Sequence, residues 1–318
     1  MNSKRIRISL IAGTAAVGMI ALSACSAAET KSSGDGDEIT LAQPNWAGAE
    51  ANIAVAKKLL EDELDVKVDV TQMNEAAAFK ALDGGKADAL LEDWHGNPNE
   101  LKTYVDKKKS VVSAGELGVQ GHIGWYVPKY YADKHPEITD WKNLNKFAKD
   151  FKTSESGDKG QFIGADPEYS QHDTGIIKNL KLDFKHVPSG SEAAQQKEIK
   201  RLYAAKKPFL TYWWTPQLLQ NQIELVEVKL PEFKEGCNEP ADQADCGYPQ
   251  VDLEKFMSKD LSDGGSDAAK FLKNFKWSNK DQDAVVSYMK VDGMKSDKAA
   301  EKWIKENKST WEQWIPKK

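Results

Sequence analysis

Cysteine is scarce in this 318-residue chain, with three in all, at 25, 237 and 246, which excludes a disulfide-dense miniprotein. Histidine is nearly as scarce, with five at 95, 122, 135, 172 and 186. None recurs at the His-x3-His spacing that lets a helix present two imidazoles to one metal ion, so no metal site is expected. Basic residues are not in excess: 44 Lys plus Arg stand against 49 Asp plus Glu, a formal net charge of -5 that argues against a nucleic-acid-binding face. No Gly-x-Ser-x-Gly nucleophile turn occurs, so hydrolytic chemistry has no motif to support it. What the chain does have is ten Trp.

After residue 22 no apolar run approaches the ~20 residues of a spanning helix. The first residues differ: Lys4, Arg5 and Arg7 precede an apolar stretch over 8–22, and residues 1–24 read as a secretory signal peptide. The stretch ends in Leu22-Ser23-Ala24-Cys25, which resembles the bacterial lipobox, whose Cys is lipidated and becomes the mature N-terminus. Loss of the three basic residues takes the formal charge from -5 to -8. Residues 25–37, rich in Gly and Ser, read as the lipidated Cys and a flexible tether. The expected location is therefore the extracytoplasmic face of the cell membrane, held by lipid. In such an oxidising compartment a local disulfide between Cys237 and Cys246 is expected. A pair of metal ligands is the rival, but no His or third Cys lies nearby to complete a site.

Alternating patterns predict strands over 38–43, 66–70 and 87–91 with helices over 49–64 and 76–82 between them, the order of a parallel or mixed α/β sheet. The same order returns further on, with strands at 162–165 and 184–187, helices at 171–182 and 193–204, and a third strand running into Trp214. Leu82, Lys86, Leu90 and Trp94 match Leu202, Lys206, Leu210 and Trp214 without a gap. Each first loop also carries an aromatic, Trp46 and Tyr169. Two ordinary α/β segments with core aromatics would give a similar pattern. Placement argues otherwise, because all four rings fall where a strand ends, and ligands of open α/β sheets bind outside the carboxyl ends of strands.

Four ring faces in one cleft favour a soft cation, above all a quaternary ammonium with no N–H donors to satisfy. A zwitterionic ligand also needs a carboxylate site, and two helix starts offer backbone N–H groups: Gly48 and Ala49 after Trp46, Ser170 and Gln171 after Tyr169. Trp213 is expected to face away from Trp214 by strand alternation and to be core. Trp125 and Tyr126 read as hinge or core, Trp141 as packing, and Trp277, Trp303, Trp311 and Trp314 as packed faces of C-terminal helices. Asp93 and Glu168, beside cage aromatics, are candidate carboxylates near a cation, though a solvated rim is the more common place for such residues.

The lipobox and tether, the doubled unit, Glu92-Asp93-Trp94-His95-Gly96-Asn97-Pro98, Tyr212-Trp213-Trp214-Thr215-Pro216, Gly247-Tyr248-Pro249 and the Trp-rich tail together resemble the glycine betaine/proline betaine substrate-binding proteins of ABC importers. The resemblance implies a two-lobed, periplasmic-binding-protein-like α/β fold that closes on ligand at a hinge. Lobe I is then 38–122 plus 236–318, and lobe II is 123–235. It also implies a monomer without cofactor that is not an enzyme and delivers a compatible solute to a membrane permease for osmoprotection. Trp94 and Trp214 are cage walls on this reading, with Tyr169 where several relatives have Trp, and Trp46 as a first-loop aromatic. Some relatives place a carboxylate-binding His four residues after the first cage Trp. Here that position is Pro98, and His95 follows the Trp instead, which leaves the ligand open among glycine betaine, proline betaine, choline and carnitine. A secreted lipoprotein enzyme using the same cleft for hydrolysis is the reading from another class.

Overall fold

The computed structural model describes residues 38–317 apart from Glu168, Ser170 and Gln171; the leader, Cys25 and the tether therefore lie outside the described residues. The first unit runs β1 (Glu38–Gln43), α1 (Ala47–Leu64), β2 (Lys67–Gln72), α2 (Glu75–Asp83) and β3 (Ala89–Asp93). A long strand, β4 (Val111–Pro128), leads to the second unit: β5 (Gly160–Gly164), α3 (Asp173–Asn179), β6 (Phe184–Pro188), α4 (Glu192–Ala204) and β7 (Leu210–Thr215). In each unit the first strand lies between the other two and pairs with both in parallel. Leu90 lies opposite Ala42 and Leu210 opposite Phe162, so the two matched leucines occupy matched places.

The units are joined into one nine-stranded sheet by β4, β8 (Leu225–Val228) and β9 (Gln250–Ser258), in the order β2-β1-β3-β9-β4-β7-β5-β6 with β8 also on β4. The partner of β4 changes at His122: up to that residue it pairs with β9, and from there onward with β7 and β8. Both β4 and β9 were missed as strands from the pattern. Glycines at 115, 118, 121 and 124 interrupt the alternation of β4. At Gly121 the reason is steric, because a Cβ there would lie 2.3 Å from the Trp94 ring.

Local chemistry starts and stops the helices. Asn74 caps α2 by accepting from the Ala77 N–H at 2.8 Å, and the Ser191 hydroxyl caps α4 by accepting from the Ala194 N–H at 3.2 Å. Such caps contribute about 1 kcal/mol each. Helix α1 begins at Trp46 with no side-chain cap and ends at Asp65, which takes the left-handed conformation at φ 57°.

Two main cores form. The first joins β1, β3 and β9 to α1 and to helices α5 (Asp267–Asn274), α6 (Asn279–Lys290) and α7 (Ser296–Glu306). As expected, Trp277, Trp303, Trp311 and Trp314 are buried there, with Trp303 and Trp314 stacked at 5.9 Å. A smaller cluster around Phe79 and Phe256 lies under α2. The second main core collects Trp125, Phe162, Phe184, Leu210 and Trp213, with Trp141 packed at its edge. One buried cation stands out: Lys255 on β9 donates to the carbonyls of Leu272, Lys273 and Phe275 at the end of α5, and burial lowers its amine to about 7.

Cys237 and Cys246 are joined in a disulfide, with Cα atoms 6.0 Å apart. The loop they close packs on α3, where the Asn179 amide donates to the carbonyls of Asp242 and Ala244. Ala244 of this loop is buried in the second core, with Tyr248 packed against it. Gly175 allows the close approach, since a Cβ there would meet the Ala241 carbonyl at 2.1 Å.

Candidate functional site

The four aromatics expected at strand ends meet. Trp46 follows β1, Trp94 follows β3, Tyr169 lies in the turn after β5, and Trp214 is near the end of β7; all four line one cavity of about 90 Å3. Tyr169 is the keystone: its ring lies edge-on to Trp46 at 5.8 Å and to Trp214 at 5.9 Å. Its hydroxyl is buried without a hydrogen-bond partner among the described residues and so offers a donor to a ligand. Tyr212 and Tyr248, both also at the cavity, pack at 5.9 Å. Neither is among the ligand contacts that the sequence pattern points to. Tyr212 was within reach of the pattern, because it lies two residues before Trp214 on a strand and so shares its face.

Trp213 is fully buried, as expected, but it does not turn away from the site. Its ring stacks under Trp214 at 4.5 Å and 29°, so it backs that wall of the cage. Trp125 is core, its indole N–H donating to Asp173 at 2.7 Å, and the Tyr248 hydroxyl donates to the same carboxylate oxygen at 2.6 Å.

Behind the rings lie acids. Glu92, at 1% exposure, accepts from the indole N–H groups of both Trp46, at 2.6 Å, and Trp94, at 2.8 Å. Burial raises its carboxyl to about 7. Glu75 lines the cavity and accepts from the Trp94 backbone N–H at 2.8 Å and from Asn97 at 3.2 Å, which pins the Trp94 loop. Burial, with the adjacent Asp93 charge, raises Glu75 well above the usual carboxylate range. Asp93 is raised to about 6, chiefly by burial. At 0% exposure it does not sit on a solvated rim; one oxygen accepts from the His95 N–H at 3.1 Å, and the side chain is paired with that of Glu75. Glu168 lies outside the described residues.

His95 lines the cavity at φ 56°, its ring 3.3 Å from Glu254, which raises its pKa. His172, also lining the cavity, is lowered by burial. No Lys or Arg is among the described residues that line this cavity.

The helix start at Gly48 and Ala49 does not open to the cavity. Ala49 is buried in the second core at 1% exposure, and a Cβ on Gly48 would meet both Glu92 oxygens within 3.2 Å. The Ala47 N–H is taken by a protein carboxylate, donating to Glu192 at 2.9 Å. At this helix start the amide shown to be taken is that of Ala47, by Glu192 at the positive end of α1, and Gly48 and Ala49 do not line the cavity. Ser170 and Gln171 lie outside the described residues. Among the described residues no group of three or more His, Cys, Asp or Glu is arranged to hold a metal ion, and no helix is long and apolar enough to cross a membrane.

Two similar α/β units, two strands passing between them and an aromatic cavity at their strand ends define a two-lobed substrate-binding protein of the periplasmic type. The chain belongs to the family described as the substrate-binding domain of the ABC-type glycine betaine transport system, whose model matches residues 37–306. Proteins of this family serve ABC importers on the extracytoplasmic side. The trimethylamine N-oxide-binding protein of Pelagibacter ubique (strain HTCC1062) is 24% identical over 286 residues, covering 86% of this chain and 89% of that protein. Among solved structures, lactococcal OpuAC in its closed conformation with glycine betaine superposes with a TM-score of 0.70 at 22% identity, covering 88% of this chain and 100% of that one. An ABC-transporter choline-binding protein in complex with choline superposes with a TM-score of 0.71 at 18% identity, covering 88% of this chain and 91% of that one.

Proposed function

We propose that this protein captures a small trimethylated amine between two lobes and hands it unchanged to an ABC permease, as a monomer held to the membrane by lipid on Cys25 after removal of residues 1–24. Lobe I is 38–122 with the C-terminal part from 250, and lobe II is 123–249. The observation that carries the reading is the convergence of Trp46, Trp94, Tyr169 and Trp214 on one cavity with buried acids behind the rings. A methylated ammonium is soft, sheds water readily and gains from each ring face it touches. The ligand stabilises the closed arrangement, and that form docks on the permease.

The size and polarity of the cavity narrow the ligand. Its volume of about 90 Å3 holds on the order of six to nine water-sized groups. Glycine betaine and choline are of that size, trimethylamine N-oxide is smaller, and carnitine is larger. The start of α1, with the Ala47 N–H taken by Glu192 and with Gly48 and Ala49 not lining the cavity, favours a ligand whose polar end is a hydroxyl or an N-oxide over one with a full carboxylate. The unpartnered Tyr169 hydroxyl suits such an end. The name of the Pelagibacter relative points the same way.

Calorimetry of the mature chain against choline, trimethylamine N-oxide, glycine betaine and carnitine tests this. Micromolar or tighter binding of at least one of the first two, with carnitine weakest, is expected. Binding of none removes the cage reading, and tightest binding of glycine betaine removes the narrower one. Ligand recovered chemically altered would favour an enzyme.

A further inference from the structure

The rings of the cage do not hold themselves. Trp46 begins a helix without a side-chain cap, and Trp94 follows a strand end, so neither indole is fixed by its own backbone. What they share is Glu92. One oxygen of this carboxylate takes both indole N–H groups, and the other takes the side-chain amides of Asn52 and of Gln282, the latter at 2.9 Å. Gly48 brings the first turn of α1 against the same two oxygens. An ionised carboxylate offers about four lone-pair sites, so these four donors saturate it. No ammonium or guanidinium is among its hydrogen-bonding partners.

Resting on the reading of the site given above, we infer that Glu92 is the positioning residue of the cage and that its negative charge, delivered through the two indoles, sets the preference for a cationic head over a neutral one of the same shape. Three effects act together. Two short bonds to one oxygen fix the mutual angle of the rings. An indole that donates to an anion gains electron density on its face, which strengthens its attraction for a cation. The charge itself lies just behind the rings in a low-dielectric region, where it attracts an ammonium across the ring plane more strongly than water would allow. The other acids near the cavity have different partners: Glu75 holds the Trp94 backbone, Asp93 holds the His95 backbone, and Glu192 holds Ala47. Glu92 alone reaches the ring nitrogens of both Trp46 and Trp94 among the described residues.

The surroundings permit a clean test. Asn52 and Gln282 are amides, and by turning over they present oxygen in place of nitrogen. Glu92→Gln therefore keeps an oxygen for the two indoles, pairs its new NH2 with the turned amides, and deletes only the charge. Choline and its uncharged carbon counterpart, 3,3-dimethyl-1-butanol, are measured by calorimetry at a pH well above 7, where Glu92 is ionised despite its raised pKa, against wild type, Glu92→Gln and Glu92→Ala. Glu92→Gln is expected to lose about tenfold or more in choline affinity while its affinity for the alcohol changes less than about threefold. In Glu92→Ala both ligands should weaken, because the rings come loose. Unchanged choline affinity in Glu92→Gln, or an equal loss for both ligands, overturns the role of the charge. A wild-type protein that binds no trimethylated amine overturns the reading of the site itself, and this inference with it.

Discussion

Trp214→Ala is expected to lower the affinity for the trimethylated amine by more than tenfold. The ring stacks on Trp213 at 4.5 Å and meets Tyr169 and Tyr212 at 5.9 Å each, so its removal takes away one wall and unseats the two tyrosines that lean on it. A desolvated cation–ring contact contributes about 0.5 to 2 kcal/mol, and the lost methyl burial adds to it. Since about 1.4 kcal/mol is a factor of ten, the loss falls on the order of ten- to a hundredfold. Trp214→Phe keeps a ring face and should lose less. Calorimetry on both variants, with a melting curve to confirm folding, is the measurement. Retained affinity in the alanine variant removes Trp214 from the site.

The second large effect is expected at Glu192, whose carboxylate joins the two halves of the molecule beside Trp46. It stands in the first turn of α4, at 8% exposure, accepts from the Ala47 N–H at 2.9 Å, and is steadied by Gln196 at 2.9 Å and by Gln217. The contact spans 145 residues and places a negative charge on the positive end of α1. On the proposed lobe boundaries this contact ties lobe I to lobe II, and the Glu192→Ala protein is then expected to spend more time open and to release ligand faster. A hydrogen bond to a charged group contributes about 1.5 to 3 kcal/mol, which predicts a loss of affinity of about ten- to a hundredfold, mostly in the off-rate. Stopped-flow release after a chase with excess ligand reads this directly, and an unchanged off-rate refutes the latch.

The latch also gives a pH dependence. Burial raises the Glu192 carboxyl above its ordinary value, and the Ala47 N–H and the charge of Lys290, itself paired with Glu50 at 2.6 Å, partly offset this. Because burial raises this carboxyl in the closed arrangement and opening would return it toward its ordinary value, closing is linked to proton uptake. Ligand retention should therefore be fullest below the ordinary carboxylate pKa and weaken as pH rises through the raised one, which off-rates measured across that range would show.

Much of this was legible in the residues, for physical reasons that also mark the limits. The doubled unit could be read because β1 and β5, each flanked by its two parallel partners, impose the same period and the same turn chemistry twice. The four rings that line the cavity could be read because a strand end is where an aromatic has least reason to be core. Glu92 was missed although it lies two residues before Trp94 and shares its strand face, because a charged residue beside an exposed loop is usually solvated. What overrides that habit is four donors brought from α1, α6 and the two indoles. The pairing of Glu192 with Ala47 has no local signature at all. It exists only once two separate helix starts face each other, and it turns the expected ligand-carboxylate site into a contact within the protein.

The most direct measurement of the central claim is a crystal structure of the mature chain grown with choline or trimethylamine N-oxide. The account predicts the trimethylated head between Trp46, Trp94, Tyr169 and Trp214, with the Tyr169 hydroxyl on the ligand oxygen and Glu92 still bonded to both indoles. A ligand bound elsewhere, or one whose methylated end points away from the four rings, would contradict it.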